Sequence, residues 1–359
     1  MPAGQHTYLI TTPPASAARP TRFFALTTCG LETISARELA CAPGVTVTET
    51  GYRRVAATCA GPLDALLALR TVDDVFLSVA TWAEIGRPRS ALERLRALSA
   101  RLDLIPALSG CAAVRPIPCA PAFSLSVSFV GKRNYTTREI KAILAERVTS
   151  RQGWTYQPDD RLADVNLRVF IEHEQAYIGM RLAKQPLHER PYRQVQRAGA
   201  LKPSAAAALV MAADVRAGQR VLDPCCGSGT LLIEAAAKGA LVCGGDNDQA
   251  AVRAAQINCR AAGVCASLQC WQAEALPLAA ASIDRVLCNL PWGRQTQAEG
   301  ALADFYQAAF AEMRRVLAPA GRIALLTTRP ELIDPLDLAC ALRCEMSLFG
   351  QRPTLLVFS

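Results

Sequence analysis

Arg220-Val221-Leu222-Asp223-Pro224-Cys225-Cys226-Gly227-Ser228-Gly229-Thr230 is the stretch that decides the fold of this 359-residue chain. A short apolar run ends on an acid, a Gly-x-Gly turn follows, and helix-forming residues resume at Thr230. Glycines let the backbone pass close to a ligand, and a helix N-terminus presents unpaired amide donors. Around it the alternation is regular: helix 204–214, strand 220–223, helix 230–238, strand 240–245, helix 248–262, strands 266–271 and 283–288, helix 301–317 and strand 321–327. That pattern predicts an α/β fold with a doubly wound, mostly parallel sheet.

The loop also restricts its ligand. Asp246 stands nineteen residues beyond Gly227, at the end of the second strand, where a carboxylate accepts hydrogen bonds from the ribose hydroxyls of an adenosine cofactor. The third glycine of a dinucleotide fingerprint is missing, with Leu232 in its place. Asp223 would repel a pyrophosphate. A cation that also carries a carboxylate, such as S-adenosylmethionine, fits better: Asp223 faces its amino group and the loop amides its carboxylate.

A second motif, Asn289-Leu290-Pro291-Trp292-Gly293, closes the fourth strand of the sheet, and open α/β sheets bind ligands at the carboxyl ends of their strands. Methylating an exocyclic amine requires the nitrogen lone pair to be freed from the aromatic ring. The Asn289 amide oxygen and a backbone carbonyl near Pro291 could each accept one N–H, and no strong base is needed. Trp292 offers a face for an extruded base, a contact worth about 1–3 kcal/mol. Cys288 precedes Asn289 and should point the other way, into the core.

The first half of the chain reads differently. A strand at Arg22–Leu26, a helix at about Leu31–Ala40 and a strand at Tyr52–Ala57 suit a split α+β layer. Ala91, Leu92, Leu95, Leu98 and Leu102 recur at helical spacing, and Phe123, Leu125, Val127 and Phe129 alternate as a strand. Thr136-Thr137-Arg138-Glu139 is a capping-box signature for a helix with Ile140, Ile143, Leu144 and Val148 inward. Strands near 164–172 and 175–182 form a hairpin, and the Pro-broken, basic stretch 184–203 reads as a linker.

Composition adds a partner. Residues 1–200 hold 25 basic and 17 acidic side chains, the whole net charge of +8, whereas residues 201–359 balance at 14 and 14. Such asymmetry points to a polyanion held by the first half, most plausibly nucleic acid. With 51% apolar and 19% charged residues the chain is not mainly disordered, and no apolar run is long enough for a membrane helix. Fourteen cysteines without a Cys-x-x-Cys pair and three histidines give no zinc framework, so no metal is expected. Free, mostly buried thiols in a cytoplasmic protein are expected, and no secretory signal is evident.

These motifs carry a resemblance. The 223–230 loop followed by Glu234-Ala235-Ala236, then Gly245-Asp246 and Asn289 to Gly293, resembles the THUMP-domain RNA methyltransferases, most nearly the tRNA guanine-N2-methyltransferases. Phe24-Ala25-Leu26-Thr27-Thr28-Cys29-Gly30-Leu31-Glu32 with Glu38-Leu39 is similar to that family's opening segment. Leu69-Arg70-Thr71, Leu187-His188-Glu189-Arg190-Pro191-Tyr192-Arg193 and Leu201-Lys202-Pro203 are similar to its linker and catalytic entry, so the likeness spans about 22–359. It implies a flexible lead-in (1–20), a ferredoxin-like plus THUMP RNA-binding region (21–183), a linker (184–200) and a Rossmann-like class I methyltransferase domain (201–359).

The resemblance further implies S-adenosylmethionine as cofactor, tRNA as substrate, and a monomer without membrane or metal. Asp223, Gly227, Gly229 and Thr230 would surround the methionine part, Asp246 the ribose, and Asn289, Leu290, Pro291 and Trp292 the target base. Cys225 and Ser228 of the same loop, Asn247 beside Asp246, Gln272 with Ala273, and Asn289 complete the expected cofactor set. Gln272 departs from the family's acidic residue at the adenine, with Glu274 as the competing candidate, and Gln196-Arg197 stands where relatives often carry a His. Leucine at 290 favours guanine N2 over adenine N6, and the acceptor stem, position 6, is the first expectation. The alternatives are an N6-adenine methyltransferase on RNA or DNA and a catalytically silent RNA-binding protein.

Overall fold

The computed structural model describes residues 20–292, 299–335 and 338–359. The expected lead-in, apart from Pro20, and Gly293 of the second motif lie outside them.

Two sheets organise the chain. The first is built from β1 (Thr21–Leu26), β2 (Val45–Gly51), β3 (Arg54–Cys59), β4 (Asp74–Trp82), β5 (Ala122–Phe129), β6 (Thr155–Tyr156), β7 (Val165–Glu172) and β8 (Gln175–Arg181). Helices α1 (Glu32–Ala40), α2 (Ser90–Ser99), α3 (Ile105–Ala112) and α4 (Thr137–Gln152) belong to the same part. Its strand order is β2-β3-β1-β4-β8-β7-β5-β6. The antiparallel β4–β8 pair fuses two α+β layers into one continuous sheet. Alternation puts Phe23, Ala25, Val75, Leu77, Leu167, Val169 and Ile178 into one core. The expected capping box is present: Thr136 Oγ1 accepts from the Glu139 amide at 3.2 Å, and Glu139 Oε2 accepts from the Thr136 amide at 2.9 Å.

The second sheet has the order β11-β10-β9-β12-β13-β15-β14. Its elements are α5 (Pro203–Ala212), β9 (Arg220–Asp223), α6 (Thr230–Ala236), β10 (Leu241–Asp246), α7 (Gln249–Ala261), β11 (Ala266–Cys270), β12 (Ile283–Asn289), α8 (Glu299–Val316), β13 (Leu317–Thr327), β14 (Cys340–Glu345) and β15 (Thr354–Phe358). Pairing from β11 to β13 is parallel, and only β15 runs antiparallel to its neighbours. This is the expected Rossmann-like sheet. Chain order reverses between β9 and β12, which opens a crevice at their carboxyl ends.

The two parts share buried surface. Leu31 and Ile34 of the first part pack in the core that holds Leu209, Leu231, Leu232 and Met346 of the second. Lys202 Nζ lies 2.7 Å from Asp73 Oδ2, and Ser204 Oγ donates to Asp73 Oδ1 at 2.7 Å.

Several expectations need correction. β3 begins at Arg54 and not at Tyr52, because Tyr52-Arg53 make the tight turn from β2, with Arg53 at φ +55°. The cysteines are all free, but five are buried, four half-buried and five exposed, so they are not mostly core residues. Cys41, Cys119, Cys265, Cys270 and Cys340 stand at element ends or in connections, where small side chains meet solvent. Among the described residues no helix is long and apolar enough to cross a membrane, and no group of three His, Cys, Asp or Glu could hold a metal ion.

Candidate active site

The glycine loop lies at the crevice and is held from three sides. Gly227 and Gly229 take left-handed backbone angles, φ +50° and +81°, which a side chain disfavours. Gly229 is the N-cap of α6, and a Cβ there would press within 3.2 Å of Ala255. A Cβ on Gly227 would meet nothing within 4 Å, so the loop faces open space on that side. The Cys226 amide donates to the Gly245 carbonyl at 2.8 Å, and the Gly227 amide donates to Asp246 Oδ2 at 3.0 Å. Asp246 Oδ1 takes the Asp248 amide at 3.0 Å. From beneath, Trp271 Nε1 donates to the Pro224 carbonyl at 3.1 Å, and Gly245 is a glycine because any Cβ would run into the Trp271 ring.

Asp223 is the electrostatic centre of this loop. Its side chain is buried and accepts one hydrogen bond, from the Cys225 amide at 3.2 Å. Among the described residues no cation pairs with it. Burial pushes its carboxyl well above the usual range, and the nearby Asp246 charge pushes the same way against that single hydrogen bond. A buried acid without a countercharge, below an open glycine loop, suits a ligand that brings its own ammonium group.

Of the other expected cofactor residues, Ser228 and Thr230 are buried at the helix start, Cys225 is half-buried, and Asn247 is exposed beside Asp246. Gln272 is exposed and Ala273 buried just after β11. Glu274 Oε2, by contrast, is buried without a hydrogen-bond partner. Of the two candidates that the sequence offers for the adenine contact, Glu274 is thus the one with a buried, unpartnered acceptor.

Asn289 ends β12, and its amide is oriented by the linker: Nδ2 donates to the Gly199 carbonyl at 3.3 Å. Its Oδ1 is buried and has no partner. Leu290 is buried and donates its amide to the Leu326 carbonyl at 3.0 Å. The Pro291 carbonyl is already engaged, accepting from Tyr306 Oη at 2.8 Å, while the same hydroxyl meets Thr327 Oγ1 at 2.8 Å. Tyr306 thus pins the turn through one lone pair of this carbonyl, whose second lone pair has no partner in that bond. Trp292 is half-buried against the core, and its Nε1 is buried without a partner. Cys288 is fully buried, as alternation required, and burial with Cys225 beside it pushes its thiol far up.

Three supporting groups have roles that only the fold shows, Glu234 among them although its motif is visible in the sequence. Glu234 of α6 has a fully buried side chain that accepts from Arg70 Nε at 2.6 Å and Tyr192 Oη at 2.7 Å, with Arg190 Nε at 3.6 Å. Asn258 of α7 is buried and bonds both the linker and the Ser228 carbonyl. Tyr306 of α8 pins Pro291. Besides the Glu234 motif, Asn258 carries a sequence signal, a polar residue disfavoured inside an Ala-rich helix.

Comparison with known proteins places this arrangement. A family model described as "RMKL-like, methyltransferase domain" matches residues 190–355. The tRNA (guanine(6)-N2)-methyltransferase of Thermus thermophilus is 33% identical over 250 residues, covering 67% of this chain and 73% of that protein. The chain belongs to the THUMP-fold methyltransferases related to the tRNA guanine-N2 enzymes. As such a methyltransferase it uses S-adenosylmethionine. The crystal structure of TrmN from Thermus thermophilus superposes with a TM-score of 0.75 at 28% identity, covering 94% of this chain and 99% of that one. The U6 snRNA (guanine-N(2))-methyltransferase THUMPD2 of Bos taurus is 31% identical over 200 residues, 54% of this methyltransferase and 38% of that longer protein. The residues present fit the cofactor, since Asp223 has no countercharge among the described residues and Gly227 leaves the loop open beside it.

Proposed function

We propose that this methyltransferase modifies the exocyclic N2 of a guanosine in tRNA, in the acceptor stem at position 6. The observation that carries the reading is the unpaired Asn289 Oδ1 at the end of β12, on a chain 33% identical to a tRNA (guanine(6)-N2)-methyltransferase. S-adenosylmethionine, when bound, supplies an electrophilic methyl group. Asp223 pairs with its ammonium, the Gly227–Thr230 backbone faces its carboxylate, and Asp246 takes its ribose. Asn289 Oδ1 accepts one N–H of the target amine and so turns the nitrogen lone pair out of conjugation with the base. Tyr306 keeps the Asn289–Trp292 turn from moving, and the free indole N–H of Trp292 offers a donor to the extruded base.

Residues 21–183 are proposed to grip the RNA, with 184–200 as linker and 201–359 as the catalytic domain. The net +8 of residues 1–200 against the neutral remainder supports that division. Incubation with labelled S-adenosylmethionine and bulk tRNA, followed by nucleoside analysis, should yield N2-methylguanosine. N6-methyladenosine would move the activity to adenine, and no product would support the catalytically silent alternative. Asn289→Ala should lower kcat by about a hundredfold or more, the scale on which single polar groups at a reacting centre act.

A further inference from the structure

The linker between the two sheets does more than connect them. It is anchored at both ends to the first part: the His188 amide donates to the Asp73 carbonyl at 3.0 Å, Arg190 Nη2 to the Arg70 carbonyl at 3.2 Å, and Lys202 pairs with Asp73. Between those anchors it touches the second sheet's crevice at three successive points. Asn258 Oδ1 accepts from the Val195 amide at 2.9 Å, while its Nδ2 donates to the Val195 and Ser228 carbonyls, each at 2.9 Å. Arg197 Nη2 lies 2.5 Å from Asp248 Oδ2 at the start of α7. Gly199 then places its carbonyl 3.3 Å from Asn289 Nδ2.

The first and third of these contacts bear on the chemistry. An asparagine amide is a donor on one side and an acceptor on the other, so only Nδ2 can face the Gly199 carbonyl. That bond leaves Oδ1 buried and without a partner, so its acceptor capacity is kept for a target amine. An amide turned the other way would set N–H against N–H. Asn258 does the equivalent for the cofactor: it is nearly fully buried and fixes the carbonyl of Ser228, the central residue of the Gly-x-Gly turn, in register with the linker. A buried amide with all these bonds made is costly to disturb.

We propose that the linker is a positioning element for methyl transfer, with the Gly199 carbonyl setting the orientation of Asn289 and Asn258 setting the glycine loop. The proposal rests on the reading of Asn289 as the amine acceptor. Through it, the placement of the first part of the chain reaches both halves of the active site without touching either ligand.

Two variants of the full-length protein separate the arms. Gly199 has φ +77°, which proline cannot adopt, so Gly199→Pro displaces the carbonyl. Its kcat on bulk tRNA should fall about tenfold or more while affinity for S-adenosylhomocysteine, measured by calorimetry, stays within about twofold. Asn258→Asp keeps the acceptor for Val195 but loses both donated bonds, and its affinity for S-adenosylhomocysteine should fall about tenfold. A protein merely loosened in its fold would not split kcat from affinity in this way. If Gly199→Pro does not fold, Gly199→Ala, whose Cβ meets nothing within 4 Å, should give a smaller kcat loss with the same unchanged affinity. Wild-type kcat in the folded Gly199 variant, or unchanged affinity in Asn258→Asp, overturns the proposal. Full turnover by Asn289→Ala would instead refute the underlying reading of Asn289, and the Gly199 arm would fall with it.

Discussion

Asp223→Asn should weaken cofactor binding and strengthen the ligand-free fold, two effects of opposite sign from one buried atom pair. The side chain is about 1% exposed, takes one amide hydrogen bond, and has no cation beside it among the described residues. Burial holds its carboxyl well above the usual value. The folded chain therefore keeps a proton that the unfolded chain releases above a pH of about 4, and stability falls as pH rises from there toward the folded value. The amide isostere has no charge to bury, so it removes that slope, and the ligand-free protein should melt higher than wild type at pH 8. With cofactor the balance reverses. A charge-assisted hydrogen bond to an ammonium group contributes about 1.5–3 kcal/mol, so the dissociation constant for S-adenosylhomocysteine should rise by roughly 10- to 150-fold. Titration calorimetry and scanning calorimetry at pH 6 and 8 read both effects. Affinity within about threefold of wild type, or a lower melting point without ligand at pH 8, would refute the reasoning.

Other predictions follow from the same contacts. Asp246→Ala removes the acceptor for both the Gly227 and Asp248 amides as well as the ribose partner, so cofactor affinity should fall at least about tenfold by equilibrium dialysis. Glu234→Ala leaves Arg70, Arg190 and Tyr192 around an empty buried site, and denaturant unfolding should show a loss of about 3–5 kcal/mol; a loss below about 1 kcal/mol would mean the cluster is slack. Asp74 is pushed up to about 7 by burial, against the pull of Arg181 at 2.6 Å. Its folded pKa is raised, so its contribution to stability falls as pH climbs from about 4 to about 7, and Asp74→Asn should flatten the pH dependence of melting across that window.

The second sheet was readable because each signal was local. Val221-Leu222 ahead of Asp223, the glycines at 227 and 229, and the acid closing β10 specify a strand, a turn and a second strand within thirty residues. β4 was harder to see. Its buried Asp74 and Phe76 lie on the face opposite Val75 and Leu77, so both faces are covered there and the period-two contrast fades. β14 and β15 were equally quiet: β15 is buried along its whole length and β14 exposes alternate residues at the sheet edge. The motif residues were legible as types, but their partners were not. Glu234 meets Arg70 across 164 positions, and Asn289 meets Gly199 across 90. No spacing rule reaches that far. The same limit hides Tyr306, which meets the Pro291 carbonyl across 15 positions.

Asn289 and the glycine loop are proposed to act together in methylating a guanine amine in tRNA. The direct test is to treat tRNA from a strain lacking this gene with the purified protein and S-adenosylmethionine, then map modified nucleosides by mass spectrometry. Wild type should yield N2-methylguanosine at one acceptor-stem position, and Asn289→Ala should yield none. Methyl groups on adenine, or undiminished N2-methylguanosine from Asn289→Ala, would contradict the proposal.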